Sequence, residues 1–221
     1  MTVIARRDRD VRDSVQNELE WMPQVEASRI GVSVEDGAVT LSGEVDDFAQ
    51  RVAAKRAALR VRGVRTVIDH LTVYPKRGWP VSEREIAGEV ERALKAAVNV
   101  PDTVKAEIQD HTVVLTGEAE WDYQRRAAKR AVRELRGVYA VSDMIALAPR
   151  PTAPDTVDRI RSALARNALV DAGRIDVSVA GTSVVLSGSV TSWAERREAE
   201  RAAWGSPHVT HVDNRVTVDP A

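Results

Sequence analysis

The sequence predicts an α+β chain built from three tandem α-β-β-α-β units, each a three-stranded mixed sheet with two helices packed on it. Three observations carry this. A strand-like stretch, Val39-Thr40-Leu41-Ser42-Gly43-Glu44-Val45, returns as Val113-Val114-Leu115-Thr116-Gly117-Glu118-Ala119 and again as Val184-Val185-Leu186-Ser187-Gly188-Ser189-Val190. The register around it is constant: one shift carries Val34, Leu41, Gly43, Arg51, Ala54, Gly63, Asp69 and Pro75 onto Ile108, Leu115, Gly117, Arg125, Ala128, Gly137, Asp143 and Pro149. A second shift carries these onto Val179, Leu186, Gly188, Arg196, Ala199, His208, Asn214 and Pro220. Finally, short proline-stiffened linkers, Pro75-Lys76-Arg77-Gly78-Trp79-Pro80 and Pro149-Arg150-Pro151-Thr152-Ala153-Pro154, separate the copies. A fixed internal period defines a tandem architecture, and the units are expected at 5–75, 81–149 and 154–220.

In the first unit Val11, Val15 and Leu19 recur every four residues among charged neighbours, which gives one apolar stripe on a helix. Pro23 ends it, because the ring cannot donate to the ladder and the residue before proline avoids the helical region. Ile30, Val32 and Val34 alternate with small or polar residues, the period of a half-buried strand. Asp36-Gly37 suits a type I′ hairpin turn, whose two central residues both need positive φ. The return strand runs through Val39, Leu41, Gly43 and Val45, and Asp46-Asp47 offers N-cap carboxylates for a second helix over 48–62. Its alanines leave a smooth face for close packing on the sheet, and Gly63 is expected as its αL C-cap. Val64, Val67, Leu71 and Val73 form a third strand interrupted at Asp69. A crossover helix between the second and third strands makes those two parallel, while the hairpin makes the first two antiparallel.

The second unit repeats this order with Ile86, Val90 and Leu94, then Ala106 and Ile108, a turn at Asp110-His111, and a second helix over 122–136 capped by Gly137. Val138, Val141, Ile145 and Leu147 follow it. In the third, Ile160 and Leu164 precede Ile175, Val177 and Val179, a turn at Gly181-Thr182, and Ser192-x-x-Glu195, which reads as a capping box. His208 stands where the other units carry the helix-ending glycine.

Composition narrows the function. Charged residues make up 29% and apolar residues 43% of a chain of net charge −1, so no global field recruits nucleic acid, and none is expected as a partner. There is no cysteine, which removes disulfides, thiolate metal sites and cysteine nucleophiles. The start of the chain turns charged at once, without an apolar signal region, and no run approaches a membrane span, so the expected compartment is the cytoplasm, at most peripheral to the membrane.

The Leu-Ser-Gly-x-Val strand, the Ala-rich helix after it and the Gly-Val-x-x-Val-x-Asp strand together resemble the BON domain, named for bacterial osmotically inducible and nodulation-related proteins. The matching positions are Leu41, Gly43, Val45, Ala54, Gly63, Val64, Val67 and Asp69, with Leu115, Gly117, Ala128, Gly137, Val138, Val141 and Asp143 in the second unit. In the third they are Leu186, Gly188, Val190, Ala199, Val209, Val212 and Asn214. The resemblance implies a binding module and not an enzyme, linked to osmotic or envelope stress and to contact with phospholipid.

The residues add a surface for such contact. The second helices of the first two units are basic: Arg51, Lys55, Arg56, Arg60 and Arg62 in one, Arg125, Arg126, Lys129, Arg130, Arg133 and Arg136 in the other. A basic amphipathic helix can lie on anionic lipid or an acidic partner, or simply be the solvated face opposite the alanines. The third copy is mixed in charge. Nine of these, Arg51, Lys55, Arg56, Arg60, Arg125, Arg126, Lys129, Arg130 and Arg133, are the candidate anionic-surface residues. Gly43, Gly117, Gly188, Gly63 and Gly137 are expected to be structural, the first three allowing a close approach beneath the second helix.

Trp121 and Trp193, at helix starts, can serve packing or an interface, and Trp79 is expected at a junction. His208-x-x-His211 has no Cys or Glu beside it to complete a metal set. Asp69, Asp143 and Asn214 lack an acid–base partner and read as turn residues. No phosphate loop, nucleophile elbow or Ser-His-Asp set occurs, so no catalytic residue, metal or cofactor is assigned. The function read from the sequence is a non-catalytic adaptor on anionic phospholipid, with a protein-interaction scaffold as the alternative.

Overall fold

The computed structural model describes residues 3–74, 81–151 and 153–220, so Trp79 and the first linker lie outside the described residues. The first unit runs α1 (Val3–Glu20), β1 (Ile30–Glu35), β2 (Ala38–Val45), α2 (Phe48–Ala58) and β3 (Thr66–Val73). The second runs α3 (Glu83–Ala96), β4 (Lys105–Gln109), β5 (Thr112–Thr116), β6 (Glu118–Ala119), α4 (Asp122–Arg133), β7 (Ala140–Asp143) and β8 (Ala146–Leu147). The third runs α5 (Thr156–Ala165), β9 (Ile175–Ala180), β10 (Ser183–Val190), α6 (Trp193–Trp204), β11 (His211–Asn214) and β12 (Thr217–Val218). In each, the hairpin pair is antiparallel and the crossover pair parallel, as the connection rules require.

Each unit has its own core. In the first, Val15 and Leu19 of α1 meet Val39, Leu41 and Val45 of β2 and Ala54, Ala57 and Ala58 of α2, all fully buried. Ile86, Val90, Val113, Leu115 and Ala128 repeat that arrangement in the second unit. Ile160, Leu164, Val184, Leu186 and Ala199 do so in the third. The alanines let the second helix lie close on the sheet, as their spacing predicts. Asp36 and Gly37 take φ of 49° and 76°, the pair a type I′ turn needs, and Asp110 and His111 take 46° and 59°.

Two expectations about the second helices are corrected. Helix α2 stops at Ala58 and α4 at Arg133, four and three residues short of the expected ends. After α2 the chain tightens through bonds from Arg60 N to Ala57 O and Val61 N to Ala58 O, which turns Val64 into the core. Gly63 and Gly137, with φ of 92° and 86°, therefore lie in the turn beyond the helix and are not its cap. A Cβ on Gly63 would meet Val11 Cγ2 at 2.8 Å, and one on Gly137 would press on Ile86, so these glycines let the turn close on the first helix. The third unit reaches the same buried valine, Val209, without positive φ at His208.

Gly43, Gly117 and Gly188 are close-approach glycines, but not beneath the second helix. At each, a Cβ would run into a backbone carbonyl just before or at the start of the unit's first strand: Arg29 O, Thr103 O and Arg174 O. Ser192 caps α6 by accepting from Glu195 N, while the Glu195 carboxylate accepts from Thr191 N and Asp171 N instead of closing the box. A complete box does occur at Ser82 and Glu85 of α3, where the Ser82 N–H and hydroxyl hold the Glu85 carboxyl below its ordinary pKa.

A candidate cationic junction between the units

The three units touch one another in sequence order and again from last to first. Tyr139, just before β7, packs on the core of the first unit and stacks on His111, ring centroids 4.4 Å apart. Arg125 of α4 lies 4.8 Å from the Trp204 ring of α6. Arg150, in the second linker, lies 3.6 Å from the Trp121 ring and donates to Pro207 O at 2.6 Å, and His208 Nδ1 lies 2.8 Å from Pro151 O. Pro220, at the far end of the third unit, borders a recess with Asp8, Gly37 and Arg65 of the first.

Trp121 is thus an interface residue, held by a cation over its face, whereas Trp193 packs on its own unit's core. Arg150→Ala is expected to free the third unit from the second at a cost of about 1–2 kcal/mol, the range of a partly desolvated cation–π contact. Small-angle scattering should show a larger radius of gyration while the circular dichroism of the units stays unchanged.

The basic helices are less free than their sequence suggests. Arg51 pairs with Asp69 across its own unit at 3.1 Å. Arg125 and Arg126 clamp the buried Asp122 at 2.5 and 2.7 Å, and Lys129 reaches Asp143 at 3.4 Å. Arg60 pairs with Glu18 at 2.7 Å, and Arg133 with its neighbour Glu134 at 2.9 Å. Lys55, Arg56 and Arg130 have no ion-pair partner among the described residues.

The acceptors Asp69 and Asp143 do a second job. Each takes the backbone N–H two residues on, Leu71 or Ile145, at 3.2 Å, and Asn214 does the same for Val216. That Asx turn marks where the third strand kinks, as the sequence reading of these residues expects.

Arg56 faces across the units. A cavity of about 560 Å³ between the first and second units is lined by Met22, Asp47, Gln50, Arg56, Arg60 and Arg133 among others. Desolvation, then the like charges of Arg133 from α4 and Arg197 from α6, lower the pKa of Arg56, with Glu134 acting the other way. So one arginine from each second helix contributes to a single electrostatic neighbourhood. Guanidinium groups stay protonated and cannot relay protons, so this neighbourhood keeps its positive charge. The carboxylates nearby are committed: Asp47 accepts from Gln50 N as the cap of α2, and Glu134 pairs with Arg133.

Fold and surface together define a string of small α+β modules of the binding kind. The BON domain matches the chain three times, over residues 7–75, 82–149 and 153–220, and the chain belongs to the BON domain family. This is a family of non-catalytic binding modules. No curated protein matches the chain. Among solved structures it is similar to CdsD, a structural protein of the Type III secretion system of Chlamydia trachomatis. The identity is 12%, 96% of this chain and 93% of that chain are covered, and the TM-score is 0.28. A structure of the C-terminal domain of CdsD is similar at 12% identity, over 96% of this chain and 98% of that one, with a TM-score of 0.27.

Proposed function

We propose that this chain is a non-catalytic adaptor that lays its first two modules on an anionic phospholipid surface, in the osmotic or envelope stress setting its resemblance implies. The observation that carries it is the set of exposed cations with no ion-pair partner among the described residues, Lys55 on α2 and Arg62 in the turn after it on the first unit, and Arg130 on α4 of the second. The corresponding helix of the third unit spends Arg201 on Glu198 and Arg196 on backbone carbonyls, so it contributes little. Each such cation near an anionic leaflet adds about 1 kcal/mol. One module alone would bind weakly, and two held in one body gain by multivalency. No helix among the described residues is long and apolar enough to cross a membrane, so contact here means lying on the surface.

The test is co-sedimentation with phosphatidylglycerol vesicles, compared with neutral phosphatidylcholine. Binding is expected only to the anionic vesicles and should fade as salt shortens the screening length toward about 3 Å at 1 M. Lys55→Gln combined with Arg130→Gln should lower the vesicle partition constant roughly thirtyfold, the effect of removing about 1 kcal/mol for each of the two cations. Failure to bind anionic vesicles at low salt removes this reading and leaves the protein-interaction scaffold in its place.

A further inference from the structure

The second unit holds an apolar cavity of about 450 Å³ between α3 and β4, over Val90, Leu94, Ala106 and Ile108. The register that relates the units sets Ala106 on Val32 of the first and Val177 of the third, so this strand is two carbon atoms short where both others carry valine. At the mouth of the cavity Glu91 and Lys95 are bound to each other at 2.6 Å, with Asp102 exposed at the rim. The interior therefore suits an apolar group.

The cavity opens beside a sheet edge. The strand order is β4-β5-β7, and β4 pairs with β5 alone. It holds no proline and its register with β5 runs without a bulge, two of the devices that close an edge. With a two-residue turn at Asp110-His111, Gln109 and Thr112 form the closing hydrogen-bonded pair, and the pairs alternate from there. Ala106 and Ile108 fall in the non-hydrogen-bonded pairs, opposite Leu115 and Val113, so their main-chain N–H and C=O groups point out from the edge. Their side chains are among those that line the cavity. A residue of an added strand set opposite Ala106 would share its face of the sheet and send its side chain over the cavity. On the other face β4 shows Lys105 and Glu107, both exposed and without an ion-pair partner among the described residues.

We propose that the second unit docks an extended peptide segment as a fourth strand on β4, with an aliphatic side chain in the cavity under α3. Main-chain bonds to Ala106 and Ile108 give affinity, and the cavity gives specificity. In an antiparallel segment the residues opposite Ile108, Glu107, Ala106 and Lys105 read aliphatic, basic, aliphatic, acidic, because opposite charges directly across a ladder attract. The occupant is a strand and not a helix, since what this edge leaves over is main chain in extended register. The site does not rest on the vesicle binding proposed above: α3 and β4 carry none of the cations assigned to it.

The probe is the capped, fluorescein-labelled peptide Thr-Thr-Val-Lys-Leu-Glu-Thr, read by fluorescence polarisation against the full chain. Saturable binding is expected, with the Ala106 and Ile108 amides gaining protection from hydrogen exchange. Ala106→Val supplies the residue that the other units carry, so circular dichroism should stay unchanged while binding weakens about tenfold as the cavity closes. N-methylation of the peptide's leucine removes its bond to the Ala106 carbonyl and should also weaken binding about tenfold. N-methylation of its lysine, whose N–H points away from β4, should leave binding as it was.

No saturable binding to the wild type up to about 1 mM overturns the proposal, as does binding that neither Ala106→Val nor the methylated leucine weakens. Sedimentation over a range of concentrations covers the other occupant. A wild-type dimer that Ala106→Val dissolves assigns the edge to a second copy of the chain and overturns the peptide. Ala106→Val should bind anionic vesicles as the wild type does, so the peptide reading and the vesicle reading fail separately.

Discussion

Gly43→Ala is expected to unfold the first unit, while Gly88→Ala should stabilise the second. At Gly43 the backbone holds φ at +113°, and an added Cβ lands on the carbonyl oxygen of Arg29, which is backbone and cannot step aside. Holding a non-glycine residue in that region costs about 1–3 kcal/mol, and forcing an atom into a packed site about 1–3 more. The sum, about 2–6 kcal/mol, is a large share of what a unit this small can hold. Gly88 sits inside α3 with nothing within 4 Å of the same added atom, so alanine there restricts only the unfolded chain and should gain about 0.5–1 kcal/mol.

Urea unfolding followed by far-ultraviolet circular dichroism reads both. Gly43→Ala should show loss of about a third of the cooperative signal at low denaturant, with protection from hydrogen exchange lost throughout the first unit and kept in the other two. A variant that keeps that protection would mean that the Arg29 carbonyl can move, and that the repeated glycine has another cause. Gly117 and Gly188 stand in the same relation to Thr103 and Arg174, so their alanine variants should each unfold their own unit.

The glycine shows how far the sequence could be read. Repetition in a strand announced that a side chain was not tolerated there, but not which atoms excluded it, and the excluding group proved to be a carbonyl beside the first strand and not the second helix. Element order, parallel and antiparallel pairings and both positive-φ turns follow from local pattern, and were legible because period and turn chemistry are local quantities. The ends of α2 and α4 were not, because the helix stops where Val64 and Val138 must enter the core, and that depends on packing.

The ion pairs of the basic helices were hidden for a related reason. Arg51 and Asp69 lie far apart in the chain, and counted one at a time each looked unpartnered. Yet Arg51, Arg125 and Arg196 repeat in the same register as Asp69, Asp143 and Asn214. That joint repetition was the available signal for a pairing across each unit. The inter-unit neighbourhood of Arg56, Arg133 and Arg197 left no such trace, since these three occupy different positions within their repeats.

The Asp–Asn difference gives the second large effect, because the third unit already contains the substituted residue. Asp143→Ala removes the acceptor for the buried Ile145 N–H and the partner of Arg125 and Lys129, at a carboxylate whose side chain is only 15% exposed. Leaving a buried donor unpaired costs about 1–3 kcal/mol, and the lost half-buried ion pairs add about 1 more, so a loss of about 2–4 kcal/mol is expected in the urea midpoint of the second unit. Asp143→Asn should lose only about 1 kcal/mol, because an amide oxygen can take the same N–H, as Asn214 takes Val216 N.

The reverse exchange is not symmetric. Asn214 also donates from Nδ2 to Glu200 Oε2 and Arg196 O, at 3.2 and 3.4 Å. Asn214→Asp would lose both donors and set two carboxylates against each other, while Arg196, turned to the carbonyls of Asn214 and Val216, is not aimed to compensate. It should therefore destabilise the third unit by about 1–3 kcal/mol, more than Asp143→Asn costs the second. If instead Asp143→Asn proves as damaging as Asp143→Ala, the ion pair and not the turn holds the kink, and the third unit must keep its own kink by the Arg196 contacts alone.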